Sequence, residues 1–453
     1  MGQPGGPIPA AQKTRRPNRR RLWIALGVLG GVVYIALQAL SGAALFYLSN
    51  PSLTQNKAPA APSGWHIATP PVQATNYSYA VSLDTPGLIL TCGVTLSTSL
   101  TSFGKWNAQL WRTEDGGGSW RALQAPFLKS NDECEITAVS GSQTTFFAYG
   151  QRLASSASTT IWVTHDSGET WTQAFTAQTD YPYYKSMREL SSSVLRDGVL
   201  YGLHGDYAHE MFSSSTDDGA TWIPIARTSA SNAPDGEIES LIADYAQPHA
   251  WYALVSPEAD PVALEHSADD GKTWTVVKQF PEGVGAAPMD LATAASVQPN
   301  RICAYNYLYD DSATGALAVG DTTIYSSADG GKTWRQAQLP ARDGNVSGSV
   351  RAGPDGCYLA FEENAKGGVF GTRYNVSIWR LAPDSSSLER VAYLKDYGLG
   401  FSRDAGVTYL PAASGMEARL IVTATRQPRS WADFFGGNAR NLTTTQLLWT
   451  PAT

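Results

Sequence analysis

The sequence predicts an all-β chain assembled from repeats, and three observations carry that prediction. One eight-residue pattern recurs five times between residues 113 and 334. Ser, Thr, Gly and Pro punctuate the stretch after residue 50, as many short strands joined by turns require. No segment there keeps a helical period over three turns, so a helix is not the repeated unit.

The five copies are Thr113-Glu-Asp-Gly-Gly-Gly-Ser-Trp120, Thr164-His-Asp-Ser-Gly-Glu-Thr-Trp171, Ser215-Thr-Asp-Asp-Gly-Ala-Thr-Trp222, Ser267-Ala-Asp-Asp-Gly-Lys-Thr-Trp274 and Ser327-Ala-Asp-Gly-Gly-Lys-Thr-Trp334. They share [S/T]-x-D-x-G-x-[S/T]-W, and their aspartates stand 51, 51, 52 and 60 residues apart. The chemistry of the pattern is local. Aspartate accepts backbone N–H bonds inside a tight turn, and glycine tolerates the positive φ that such a turn demands. The hydroxyls bond nearby backbone groups. Tryptophan opens the next strand and supplies a large apolar surface. Asp115, Asp166, Asp217, Asp269 and Asp329 therefore read as structural, together with Trp120, Trp171, Trp222, Trp274 and Trp334. Catalytic or metal-binding roles for these aspartates are the lesser reading.

The repeat resembles the Asp-box, or BNR, motif of sialidases, sortilin-type receptor domains and photosystem-assembly propellers. The resemblance implies a β-propeller in which each box joins the third and fourth strands of a blade. It further implies that ligands sit on the opposite face, reached by the second-to-third-strand loops and the connections between blades.

Apolar pairs before the boxes count the blades. They are Leu110-Trp111, Ile161-Trp162, Met211-Phe212 and Ile324-Tyr325, with Leu264 followed by Glu265 in the fourth repeat. Ile378-Trp379 precedes a degenerate box at Ala382-Pro-Asp-Ser385, and Leu448-Trp449 falls at the C-terminal end. That makes seven. The seventh repeat lacks its Trp-led outer strand, and Gly64-Trp-His-Ile-Ala-Thr-Pro70 resembles the outer strand Thr333-Trp-Arg-Gln-Ala-Gln-Leu-Pro340. The expectation is a seven-bladed ring over 65–453, closed by its N-terminal strand so that no edge is left open. Six or eight blades are the alternatives.

The N-terminal region reads differently. Six of the 33 basic residues lie within residues 1–21, which hold no acid, so the remainder carries 27 basic against 40 acidic residues. Phosphate would be repelled by that remainder, which excludes nucleic acid as the expected partner. Residues 22–48 form an uncharged apolar run of 27 residues, longer than the ~20 needed to cross a bilayer. A basic N-terminal flank favours a cytoplasmic N-terminus. The expected order is a basic cytoplasmic tail (1–21), a transmembrane helix (22–48), a Pro/Ala/Ser linker (49–64) and the propeller outside a bacterial cell membrane. A long cleaved signal peptide is the rival. The four cysteines, Cys92, Cys134, Cys303 and Cys357, lack metal-site spacing. Two disulfides or four buried thiols both fit.

Enzyme motifs are scarce. There is no HExxH, no GxSxG and no phosphate loop, and neither metal nor cofactor is expected. Sialidases place their first arginine in a Phe/Tyr-Arg-Ile-Pro motif ahead of the first box. Residues 50–111 contain no arginine, and Arg301-Ile302 is followed by Cys303 in the fifth repeat. No sialidase catalytic residue is carried over. The histidines near His204 and His209 read as a polar loop rather than a metal site.

Binding is then the leading reading, with a protein or glycan as ligand. Three loops run long, over 92–107, 305–321 and 426–441, joined by the interblade stretch 181–188. They supply Trp106, Tyr183, Tyr184, Arg188, Tyr307, Arg429, Trp431 and Arg440 as candidate ligand-binding residues, an aromatic-plus-arginine composition typical of binding hot spots. The rival is that these residues merely pack the loops. A sialidase-type glycosidase with a divergent site is the alternative function, and a structural surface component is the third.

Overall fold

The computed structural model describes residues 63–451 apart from connecting segments, of which 69–75, 97–105, 178–192, 226–236, 311–317, 341–347, 399–406 and 427–444 are the longest. The expected membrane span and most of the linker lie outside the described residues. Among those that are described, no helix is long and apolar enough to cross a membrane.

Among the described residues, seven antiparallel sheets of four or more strands follow one another along the chain. Blade I comprises Asn76–Val81, Ile89–Leu96, Trp106–Thr113 and Arg121–Leu123, and blade II Asp132–Ala138, Phe146–Arg152, Thr159–Thr164 and Thr172–Ala177. Blade III comprises Val194–Arg196, Val199–His204, Met211–Ser215 and Ile223–Pro224, and blade IV Glu237–Ala243, Trp251–Ser256, Ala263–Ser267 and Thr275–Gln279. Blade V has Ala287–Ala294, Gln298–Tyr307, Thr323–Ser327 and Arg335–Gln338, and blade VI Gly348–Gly353, Gly356–Gly368, Gly371–Leu381 and Leu388–Lys395. First strand packs on first strand between blades I and II and through the run from IV to VII, which sets these strands around the ring axis.

Blade VII takes its strands from both ends of the chain. Val407–Leu410, Arg419–Arg426 and Thr445–Pro451 come from the C-terminal part, and Tyr397–Gly398 adds a short piece beside Arg426 and Thr425. His66–Ile67 is the outer strand, in register with Trp449 and Leu448.

The core lies between blades rather than inside one mass. Seven apolar clusters are present among the described residues, one at each seam of the ring. At the I–II seam, Leu90, Leu110 and Phe127 meet Ile136 and Phe146. At the VI–VII seam, Trp65 joins Tyr358, Ile378 and Val422. Alternation along a strand gives each sheet two buried faces, one for each neighbour. This is why the pairs before the boxes are apolar at consecutive positions.

One pair is shifted by a residue. Counting back from Asp217, the position held by Leu110, Ile161 and Ile324 in other repeats belongs to Phe212, not Met211, and the aromatic position belongs to Ser213. Both are fully buried in blade III. In blade IV the same aromatic position holds Glu265, also with no exposure.

The four cysteines form two disulfides, and each joins two blades. Cys92–Cys134 connects I to II, and Cys303–Cys357 connects V to VI.

Candidate functional site

Antiparallel order gives each blade two unlike edges. First-to-second and third-to-fourth turns fall on one edge; second-to-third connections and the links between blades fall on the other. The five repeated turns occupy the first edge, as the strand order in blades I to V shows.

Each repeated turn satisfies its own polar groups. The aspartate Oδ1 accepts the hydroxyl two residues before it, at 2.6 Å for Thr113–Asp115 and 2.9 Å for Ser267–Asp269. It also accepts the N–H four residues on, at 2.8 to 2.9 Å in all five turns. Oδ2 accepts the hydroxyl of that same Ser or Thr, at 2.6 to 2.7 Å. The leading Ser or Thr hydroxyl in turn accepts the glycine N–H, at 2.8 to 3.0 Å. Two successive residues in each turn take the left-handed conformation, such as Asp270 and Gly271.

These bonds hold the aspartates ionised. The Thr273 N–H and hydroxyl bring the Asp269 pKa down to about 2, and Thr221 lowers that of Asp217. For Asp115, Asp166 and Asp329 burial works in the opposite direction, yet the summed hydrogen bonds still lower the pKa. A carboxylate with a depressed pKa and its acceptor positions filled is poorly suited to proton transfer. The arrangement is that of a turn lock.

The glycine also serves the neighbouring blade. A Cβ on Gly331 would lie 2.4 Å from Val277 Cγ1, and one on Gly117 2.3 Å from the Ala68 Cβ. Val277 and Ala68 belong to, or directly follow, the outer strand of the preceding blade. The turn of one blade is thus seated on the last strand of the one before it.

Cations on this edge bind across seams. Arg112 donates to the Ser167 carbonyl at 3.2 Å, from I to II. Arg196 reaches the Ala250 and Asp244 carbonyls at 3.0 and 2.9 Å, from III to IV. Arg301, fully buried, donates to the Pro354 carbonyl at 3.3 Å, from V to VI. Arg419 donates to the Asp115 carbonyl at 3.0 Å, from VII to I. Arg301, which shares two letters with the sialidase arginine motif, is therefore a strut between blades. Histidines here pair with aspartates, His165 with Asp218 at 3.2 Å, His249 with Asp270 at 3.0 Å and His266 with Asp244 at 3.1 Å. Among the described residues no three His, Cys, Asp or Glu side chains form a metal-holding group.

The opposite edge is uneven. In blade V a hairpin of Tyr309–Asp310 and Ala318–Val319 is inserted between the second and third strands. In blade VI the second and third strands run 13 and 11 residues and stay paired out to Gly368 and Gly371. Two adjacent blades thus raise hairpins on the edge away from the repeated turns. Sequence reasoning missed the blade VI extension because the polar run from Glu362 to Lys366 has no alternating apolar pattern.

The candidate binding residues divide as follows. Trp106 opens the third strand of blade I opposite Leu96, and Tyr307 closes the second strand of blade V opposite Ala287. Both stand at the hairpin edge. Tyr183, Tyr184, Arg188, Arg429, Trp431 and Arg440 lie outside the described residues. The first long loop is also shorter than its sequence suggested, because pairing continues through Leu96 and resumes at Trp106.

Fold and turns together define a seven-bladed β-propeller. No protein-family model matches the chain, and no curated protein matches it. Solved propellers share the architecture. YCF48 bound to a D1 peptide is 13% identical, with 88% of this chain and 100% of that one covered and a TM-score of 0.42. The GH74 xyloglucanase from Xanthomonas campestris is 12% identical over 79% of this chain and 53% of its own, with a TM-score of 0.45. The GH93 α-L-arabinofuranosidase of Fusarium graminearum, in complex with arabinobiose, is 12% identical over 83% and 92%, with a TM-score of 0.36. The chain spans about half the length of the xyloglucanase. No ligand or reaction follows from these likenesses.

Proposed function

We propose that this chain is a membrane-anchored, extracytoplasmic binding or assembly propeller that recognises a protein or glycan through its hairpin edge. The observation that carries the reading is the contrast between the two edges. On one edge the repeated turns and the arginines are engaged in holding the ring together. On the other, blades V and VI raise hairpins, and Trp106 and Tyr307 stand at the same edge; the aromatic and arginine residues of the 181–188 and 426–441 segments are proposed to act with them. Rigid scaffolds present function on such connections.

Two disulfides across blade seams suit an oxidising compartment, and that supports placing the ring outside the membrane. Residues 22–48 are read as the anchor, with the N-terminus cytoplasmic. The repeated turns are read as Asp boxes, as the sequence resemblance implies.

The placement is tested on intact cells with the full chain and an impermeant biotinylating reagent. Single cysteines are introduced by Lys366→Cys in the blade VI hairpin and by Ser386→Cys in the third-to-fourth turn of the same blade. Labelling of Lys366→Cys is expected; labelling of Ser386→Cys alone, or of neither, contradicts it. Turnover of a fluorogenic sialoside by the same preparation would favour the glycosidase reading instead.

A further inference from the structure

On the edge that carries the repeated turns, the first-to-second turns of blades I to IV are joined into an arc. Asp84 Oδ2 of blade I accepts the Gly141 N–H of blade II at 2.9 Å, and the Thr85 hydroxyl donates to the Gln143 carbonyl at 2.9 Å. From blade III the Leu195 N–H donates to the Ser140 carbonyl of blade II at 2.8 Å. Arg196 then ties blade III to the Ala250 and Asp244 carbonyls of blade IV. The fit is close, since a Cβ on Gly141 would lie 2.3 Å from the Leu195 carbonyl oxygen. Tyr245 spans the arc. It follows the first strand of blade IV, yet its hydroxyl reaches the Ser140 side chain of blade II and faces Asp84 of blade I. Neither of those blades adjoins blade IV, so the phenol lies over the inner rim of the ring rather than inside one seam.

Asp84 is half-buried in this arc, and among the described residues no lysine, arginine or histidine pairs with it. The neighbouring charges are engaged elsewhere. Arg196 bonds its two carbonyls, and the Asp244 carboxylate pairs with His266 at 3.1 Å. Burial raises the Tyr245 hydroxyl, which stays protonated. Residues 140–143 of blade II and the rest of the 82–87 turn of blade I hold no titratable group. A carboxylate drawn out of water and held by one N–H, with no cation beside it, is costly to keep ionised.

We infer that Asp84 is a proton-operated contact between blades I and II, which loosens the arc when it is ionised and tightens it when it is protonated. The neutral carboxyl still accepts the Gly141 N–H through its carbonyl oxygen, and its O–H adds a donor on the side of the Tyr245 hydroxyl. Burial pushes the Asp84 carboxyl above its ordinary 3.8, against the effect of the Gly141 bond. The folded chain then holds this proton more tightly than the unfolded chain does. The resulting stabilisation is fully present below 3.8 and is lost as the pH rises through the raised folded value. That sign is opposite to the sign for the five turn aspartates. As the surroundings acidify, the arc tightens before the repeated turns begin to weaken.

The test compares the unmodified full chain with Asp84→Asn, whose neutral side chain has nearly the same shape and can still accept the Gly141 N–H. Denaturation midpoints of both are followed from neutral pH down to 3.8. The readout is the difference between them, in which other titrating groups cancel. Asp84→Asn is expected to be the more stable at neutral pH, with the difference closing as the pH falls. A difference that stays constant across the range, or an Asn variant that is less stable at neutral pH, overturns the inference. Amide hydrogen exchange on the unmodified chain decides the matter if the variant does not fold. Protection factors at Gly141 and Leu195 are expected to rise on acidification by about threefold for each half unit that the folded value is raised. Protection that does not change also overturns it.

Discussion

Trp120 and Ala68 stand 52 residues apart, and a 2.8 Å bond from the indole N–H to the Ala68 carbonyl ties the first repeated turn to the closing strand. Gly117, in the same turn, leaves no room for a side chain above Ala68. Gly117→Ala adds a left-handed conformational cost of about 1–2 kcal/mol to overpacking of about 1–3 kcal/mol. Denaturant unfolding should therefore show a loss of about 2–5 kcal/mol. Gly64→Ala, with positive φ but nothing within 4 Å, should show only the first part.

Acid should weaken the turns together. Asp217 and Asp269 have folded-state pKa values below the ordinary 3.8, that of Asp269 at about 2. A lowered folded-state pKa means that the unfolded chain binds more protons as the pH falls. The stabilisation is complete above about pH 4–5 and is lost as pH falls toward about 2. Denaturation midpoints measured across that window should fall. Asp269→Asn should flatten the slope while leaving a lower plateau at neutral pH.

The two disulfides should differ little in what they contribute and much in access. Loops of 42 and 54 residues give about 4 kcal/mol each in a chain-entropy treatment. Cys303 and Cys357 are both fully buried, whereas Cys134 is half-buried. Mild reductant on the folded protein should open Cys92–Cys134 first, as read by alkylation and mass spectrometry. Equal rates would contradict the burial argument.

The tryptophans that open the outer strands should matter as packing. Trp274 is 3% exposed and sits edge-on to Phe212 across the III–IV seam. Trp274→Ala should destabilise by about 3–5 kcal/mol. Loss of ligand capture without loss of stability in that variant would mean that the turn edge is itself a binding surface.

Much of this architecture was legible because it repeats. Five repeated turns, spaced 51, 51, 52 and 60 residues apart, gave strand order, and the likeness of Trp65 to Trp334 gave the outer strand that pairs with Leu448 and Trp449. What was not legible depends on contacts across seams. Nothing in the sequence around Arg301 says that its guanidinium reaches Pro354, because the two are 53 residues apart and share no pattern. The shift from Met211 to Phe212 escaped notice because both are apolar, and only the distance to Asp217 separates them. The lengthened hairpin of blade VI was hidden by the polar run from Glu362 to Lys366, whose pairing with the next strand leaves no periodic trace.

The most direct test of the central claim is ligand capture by the full-length chain in membranes, comparing unmodified protein with the triple variant Arg429→Ala, Trp431→Ala and Arg440→Ala. Covalently trapped partners are identified by mass spectrometry. The account predicts that the triple variant folds with unchanged stability and loses its captured partners at least tenfold, whereas a turn-edge variant, Glu114→Ala with Glu169→Ala, keeps them. Capture unchanged in the triple variant and lost in the turn-edge variant would contradict it.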